Sequence, residues 1–142
     1  MAVIKNKSIQ PAGSFNYAEG VRVYNATVDD FSTNQLVQII GVVGGVGSVR
    51  LADAATAAGV QGRTLILKHD LPAGRYGVAL PWKIVEGVDT SGGTIGDLWY
   101  IGEGGNKGTI QASAATVSKP IARTINVDAT DGAYLVDCLT ML

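Results

Sequence analysis

Hydrophobic and polar residues alternate over short stretches along most of the chain, as they do in half-buried β-strands. Residues 21–28 alternate clearly, and residues 36–43 form the most apolar stretch, whose β-branched side chains favour a strand over a helix. Similar runs, bounded by turn residues, recur about every 8 to 12 residues. The pattern predicts about nine or ten short strands, the others covering residues 48–51, 63–68, 75–80, 82–88, 98–101, 109–111, 120–127 and 132–139.

Glycine and proline support an all-β chain. The sequence contains 19 glycines and four prolines, and glycine inside a helix costs about 1 kcal/mol relative to alanine. Only the alanine-rich residues 52–59 could form a short helix, and Pro81 predicts a bend or a sheet edge because proline cannot donate a ladder hydrogen bond. We therefore expect a small β-barrel, β-tulip or β-sandwich with at most one short helix.

The first 20 residues show no period of 2 or 3.6 and are predicted to form an extended N-terminal arm, followed by a β-barrel domain over residues 21–142. The arm carries four apolar anchors, Val3, Ile4, Phe15 and Tyr17. One interpretation is a frayed terminus. The other is a segment that docks on a neighbouring subunit, with these four residues at the interface.

Composition and charge narrow the possible partners. A chain of 142 residues is one ordinary domain, and its charged content of 16% is well below the roughly 25% of soluble domains. Part of its surface is therefore expected to meet other proteins. A net charge of −1 and the lack of any Lys/Arg cluster longer than two residues disfavour nucleic-acid and membrane partners.

The sequence also indicates in which cellular compartment the protein is made. Residues 1–7 lack the apolar core of a signal peptide, and no apolar run approaches the roughly 18 residues of a transmembrane helix. We expect synthesis in a reducing cytoplasm. Cys138 is the only cysteine, which leaves no intrachain disulfide and favours a buried small hydrophobe over a nucleophile.

Few residues in the sequence suggest a catalytic or metal-binding site. His69 beside Asp70 is the only pair that resembles a catalytic site, but no Ser or Cys is near in sequence and a solvated turn histidine is the favoured interpretation. Glu86, Asp89 and Asp97 could offer oxygens to a hard cation, yet their spacing is not that of an EF-hand, and a polar surface turn is favoured. No enzyme activity, metal or cofactor is predicted.

Two further features have structural explanations. The glycine-rich residues 41–47 lack the lysine and hydroxyl of a phosphate-binding loop and predict a hairpin or bulge. Trp82 and Trp99, the only tryptophans, lie within predicted strands. A core position is favoured for both over an interface position.

Two motifs resemble a known family. The run T-S-G-G-T-I-G-D-L-W-Y-I-G, which contains Gly96, Asp97 and Tyr100, is similar to the G-D-x-x-Y strand of capsid decoration (cement) proteins of tailed bacteriophages. The ending K-P-I-A-R-T-I-N-V-D-A-T-D-G-A-Y-L-V resembles the segment that closes their barrel, through Ile121, Ala122, Ala129, Thr130, Gly132, Leu135 and Val136. The resemblance covers about residues 36–142. Ala122 stands where the family often has glycine, and the arm has no counterpart.

The resemblance implies a non-enzymatic virion protein that binds the outside of an icosahedral head as a homotrimer and cements neighbouring major capsid subunits. Two other functions stay open. One is a tail or fibre component that binds a host glycan through partly exposed Trp82, Trp99 and Tyr100. The other is a small hydrolase that uses His69.

Overall fold

The computed structural model describes residues 20–139. The described part of the chain is all-β, as predicted, and its strands form two sheets. The first five strands are β1 (Val21–Tyr24), β2 (Leu36–Val43), β3 (Val46–Leu51), β4 (Thr64–Leu67) and β5 (Tyr76–Leu80). The second five are β6 (Trp82–Val88), β7 (Leu98–Ile101), β8 (Ile110–Gln111), β9 (Pro120–Asn126) and β10 (Gly132–Asp137).

The first five strands close into a barrel in the order β1-β3-β2-β4-β5. β1 completes the circle because it pairs with β5 in antiparallel fashion, Val21 opposite Ala79, and with β3 in parallel, Val23 opposite Gly47. A closed barrel leaves no free sheet edge. Gly20 forms a single β-bridge immediately before β1, and the predicted arm residues before it lie outside the described part of the chain.

The other five strands form an open antiparallel sheet in the order β6-β10-β9-β7-β8. β9 and β10 pair around the turn at residues 128–131 and form the terminal hairpin of this open sheet, so the ending does not close the barrel as the resemblance implied. Asp128 shapes that turn by accepting hydrogen bonds from the backbone N–H groups of Thr130 and Asp131, each at 2.9 Å. These bonds hold the pKa of the Asp128 carboxyl below its usual value.

Pro81 separates the two sheets. Only this residue lies between β5 of the barrel and β6 of the second sheet, so the bend predicted for it is confirmed. Its carbonyl oxygen accepts a hydrogen bond of 2.8 Å from the Cys138 N–H. The bend allows one continuous extended segment to serve both sheets.

Two hydrophobic cores result. The barrel interior holds one set of buried side chains: Val23, Phe31, Val37, Val49, Leu65, Leu67, Leu71 and Ala79. The second set lies between the barrel and the second sheet and includes Leu36, Ile66, Val85, Ile101, Ile121, Tyr134 and Val136. β2 and β4 contribute to both cores because successive side chains of a strand point to opposite faces.

The alanine-rich stretch does not form an α-helix. It contains a single 3₁₀ turn, Ala57–Val60, capped by the Thr56 hydroxyl, which accepts from the Gly59 N–H. A second 3₁₀ turn spans Gly104–Asn106. Gly59 packs so closely on Asp53 that a Cβ there would lie 1.9 Å from the Asp53 carbonyl oxygen, so the backbone at this turn has no room for a side chain.

Candidate interaction surfaces

The β2–β3 hairpin ends in apolar residues that the fold does not bury. The first three residues of β2 are buried and the last four are exposed. Ile40, Val42 and Val43 are 52%, 73% and 39% exposed. The turn uses Gly44 and Gly45, both with positive φ (59° and 82°), a conformation that glycine adopts without the steric cost of a side chain. The predicted glycine hairpin is therefore confirmed.

An aromatic pair lies beside this hairpin. The exposed ring of Tyr76 on β5 packs against Tyr24 on β1, with ring centroids 4.7 Å apart. The Arg22 guanidinium lies 4.6 Å from the Tyr76 centroid, a cation–π distance. A Cβ at Gly44 would be 3.8 Å from the Tyr76 hydroxyl, so the Tyr76 side chain lies next to the hairpin turn. We call Ile40, Val42, Val43 and Tyr76 the hairpin surface.

A second surface with exposed apolar residues lies on the outer side of the second sheet, where the charged Arg123 of β9 separates the apolar residues of β6 and β10 from Leu98 of β7. In β6, Val85 is buried in the core while Trp82 and Ile84, on the opposite face, are 50% and 48% exposed. Strand register aligns Ile84 with Leu135 on β10, Leu135 with Arg123 on β9, and Arg123 with Leu98 on β7. We call Trp82, Ile84, Leu98 and Leu135 the sheet surface.

The two tryptophans differ in environment, and the prediction of a core position is wrong for Trp82. It lies on the opposite face of β6 from Val85, so it faces outward. Trp99 is half-buried and packs against the core, its ring 5.0 Å from that of Tyr134. Its Nε1–H donates to the Thr124 hydroxyl at 2.8 Å, which satisfies the polar end of a mostly enclosed ring.

An open cleft of about 890 Å³ lies beside the acidic turn between β6 and β7. The turn forms one wall, and Trp99, Tyr100 and Arg123 line the rest. The turn carboxylates bind its own backbone. Asp89 accepts from the N–H and hydroxyl of Ser91, which lowers the pKa of its carboxyl.

Asp97 in the same turn accepts from the N–H (2.8 Å) and hydroxyl (3.0 Å) of Thr94. Glu86, the third acidic residue considered for a cation, is exposed on β6. Within residues 20–139, no group of three His, Cys, Asp or Glu side chains could hold a metal ion. The acidic residues of the turn thus have a local structural role.

His69 and Asp70 lie on the surface at the turn before β5. Asp70 accepts from the backbone N–H of Thr33 at 2.9 Å and from its hydroxyl at 3.0 Å. Chiefly the backbone bond holds the pKa of the Asp70 carboxyl below its usual value. The carboxylate therefore joins two loops of the barrel, 37 residues apart in sequence.

Cys138 is buried between the barrel and the second sheet, as predicted. Burial, and secondarily the nearby Asp137, raise the pKa of its thiol to about 12. The thiolate, which is the nucleophilic form, is thus strongly disfavoured at neutral pH.

Sequence reasoning placed the interface at Val3, Ile4, Phe15 and Tyr17, which all lie outside the described residues. It missed the hairpin surface and Ile84. One signal was available: residues 39–43 stay apolar on both sides of Gly41, and β2, with eight residues, is longer than β1 and β4, with four residues each.

Comparison with known proteins finds no matching family model, no similar curated protein and no similar solved structure. Among residues 20–139, no helix has the length and apolar character needed to cross a bilayer.

Proposed function

We propose that the protein is a non-enzymatic virion structural protein that binds the outside of an icosahedral phage head and cements neighbouring major capsid subunits. The observation that carries this proposal is the hairpin surface. Its exposed β-branched residues extend past the buried half of β2, where they contribute nothing to either core. Apolar side chains without a role in folding are typical of a protein–protein interface.

The family resemblance supports the same function. Its two motifs, far apart in sequence, are paired in space: the Gly96 N–H donates to the Thr124 carbonyl at 2.8 Å, and the Thr124 N–H donates to the Asp97 carbonyl at 3.0 Å. The glycine–aspartate turn and the β9–β10 hairpin thus form one structural unit. In the proposed function the subunits associate as homotrimers on the shell, and the N-terminal arm adds contacts to a neighbour.

Capsid binding tests the proposal. Purified protein is mixed with expanded heads that lack it, and the bound fraction and the melting temperature of the heads are measured. We expect the protein to bind and to raise that melting temperature. Failure to bind, together with a monomeric state by light scattering, would refute the proposal.

A charge placed on the hairpin surface tests which residues make the contact. V42D puts a carboxylate at a side chain that is 73% exposed, so it should leave folding intact and reduce capsid affinity at least tenfold. V28D is the matched control because Val28 is 93% exposed and lies outside the hairpin surface. Equal affinities for the two variants would exclude the hairpin surface as the contact.

The cleft favours a second candidate, a tail or fibre protein that binds a host glycan. Trp99 and Tyr100 are both half-buried and line the cleft beside Arg123 and Asp97. Aromatic faces and polar groups in one cleft suit a sugar ring. Glycan-array binding that is lost in W99A would support this candidate, whereas heads that bind the protein without any glycan signal would support capsid decoration.

A further inference from the structure

The β2–β3 hairpin extends beyond the closed part of the barrel. β4 pairs with β2 only over Leu36–Gln38, and the last bond between them runs from the Ile39 N–H to the Arg63 carbonyl at 3.0 Å. A bulge in β2 between Ile39 and Gly41 ends this pairing, as bulges commonly do. Among the residues that the structure describes, no strand lies beside Ile40–Val43 on the β4 side, so this half of β2 is an open edge.

The backbone of Val42 points to the open edge. On its other side β2 pairs with β3 as far as Val43, which lies opposite Val46 across a two-residue turn. The pair next to such a turn shares hydrogen bonds, and the following pair does not, because bonded and non-bonded pairs alternate. Val42, opposite Gly47, belongs to that following pair. Its N–H and C=O therefore face away from β3 and are available to another strand.

The side chains along the edge suit an extended apolar segment. Ile40, Val42 and Val43 are exposed and β-branched. Residues 36–49 contain no charged residue and no proline, the residues with which soluble proteins often block an exposed strand edge. A strand added here gains main-chain hydrogen bonds from the edge and apolar contacts from the side chains.

The charge beside the edge is positive. The Arg22 guanidinium lies on the exposed ring of Tyr76, 4.6 Å from its centroid, and the exposed Arg63 stands where β4 meets the edge. Residues 31–52 contain no acidic residue. A segment that carries a carboxylate is therefore favoured over a neutral or basic one.

A second copy of the chain suits this edge less well. The exposed parts of the four side chains of the hairpin surface amount to roughly 400 Å², about half of the roughly 800 Å² that each partner contributes to a stable interface. Two hairpins would also bring basic residues next to basic residues. The area and the charge both favour a different protein.

We propose that the open edge of β2 at Ile40–Val43 takes up an extended, acidic and partly apolar segment of a major capsid subunit as an added strand. The inference rests on the proposed function and specifies the contact. The N–H and C=O of Val42 bond to the backbone of the segment, the exposed side chains of the edge cover its apolar residues, and Arg22 attracts its carboxylate.

Proline at position 42 tests the main-chain pairing. V42P removes the N–H that faces the open edge but none of the bonds between β2 and β3, and edge strands tolerate proline at such positions. V42A is the matched control because it shortens the side chain and keeps the N–H. V42P should bind expanded heads that lack the protein at least tenfold more weakly than V42A, while the two free variants melt at similar temperatures.

Hydrogen exchange in the unaltered protein gives a second measurement. In the free protein the Val42 amide should exchange at least tenfold faster than the Val43 amide, which faces Val46 on β3. In protein bound to heads, the Val42 amide should exchange at least tenfold more slowly than in the free protein.

The pair R22Q and R22K tests the charge. R22Q should weaken binding to heads at least threefold and reduce its dependence on salt, whereas R22K should bind like the wild type. Equal affinities of the two variants would overturn the assignment of an acidic segment.

Equal affinities of V42P and V42A, or a Val42 amide that heads do not protect, would overturn strand addition, while weaker binding of V42D than of V28D would still support capsid decoration. A Val42 amide that is already protected in the free protein would also overturn it. The edge would then be filled by a second copy if the protection fades on dilution, and by the same chain if it does not. Wild-type protein that does not bind heads would refute the proposed function and this contact with it.

Discussion

Asn25 is a fully buried polar residue whose side chain uses every bond it can make with its neighbours in the barrel. Its Nδ2 group donates to the carbonyl oxygens of Asp29 (2.7 Å) and Leu71 (3.0 Å). Its Oδ1 atom accepts from the N–H (2.9 Å) and hydroxyl (2.6 Å) of Thr27. The side chain thus connects the loop after β1 to the turn before β5.

N25D changes only the donor half of this network, because the carboxyl has almost the same shape as the amide. When ionised, it places an oxygen opposite two carbonyl oxygens, and both donated bonds are lost. Each lost bond to a buried group costs about 1–3 kcal/mol, so the ionised form should cost roughly 2–6 kcal/mol of unfolding free energy. The protonated form can still donate one bond and should cost about half as much.

The loss should therefore depend on pH, with a sign that follows from linkage. The buried site disfavours the charged form, so the pKa of the introduced carboxyl is raised in the folded state above its unfolded value of about 3.9. Between those two pKa values the folded state binds more protons, and the stability of N25D falls as pH rises. A difference of about 1–3 kcal/mol between pH 4 and pH 7.5 corresponds to a rise of roughly one to two pKa units.

Urea unfolding of wild type and N25D at pH 4 and pH 7.5 measures this difference. N106D is the matched control because Asn106 is exposed in the second 3₁₀ turn, where an Asn-to-Asp change should cost less than about 0.5 kcal/mol at either pH. A loss in N25D that is equal at the two pH values, or no larger than that of N106D, would refute the role assigned to the Asn25 amide.

Two other predictions concern buried positions. Cys138 should resist alkylation in the native protein at pH 8 and react fully in denaturant, since the pKa of its thiol is raised to about 12; fast native labelling would contradict the burial described. G59A should lower the unfolding free energy by about 2 kcal/mol or more, because its Cβ would lie 1.9 Å from the Asp53 carbonyl oxygen. G105A, where a Cβ meets nothing within 4 Å, is the control, and similar melting temperatures for the two variants would contradict the packing.

Local features of the chain could be predicted from sequence because they depend on neighbouring residues. The predicted bounds of β2, β6 and β7 agree with the structure, since apolar patterning marks each strand and Gly44, Pro81 and Gly102 each mark one end. The order of strands could not be predicted. β1 pairs with β3 in parallel and with β5, and such non-local pairings depend on closure of the whole barrel.

It was equally hard to predict from sequence which face of each strand meets the core. Alternation places Trp82 and Ile84 on one face of β6 and Val85 on the other, but it does not say which face meets the core. The position of the barrel decides this, since it covers the side that carries Val85. An aromatic residue in a strand is thus consistent with a core position and with a surface position until the second layer is known.

The exposure of the hairpin surface could not be predicted for the same reason, because an apolar sequence does not show which parts of a strand are covered. A strand that is buried on both faces has a continuous apolar sequence, and β4 shows it: Leu65 and Leu67 fill the barrel while Ile66 packs under the second sheet. The first half of β2 follows this rule with Leu36 and Val37. Its second half is equally apolar, but its side chains are exposed and pack in neither core. Neither core accounts for apolar residues there, which is why the proposed function assigns them to a contact with another protein.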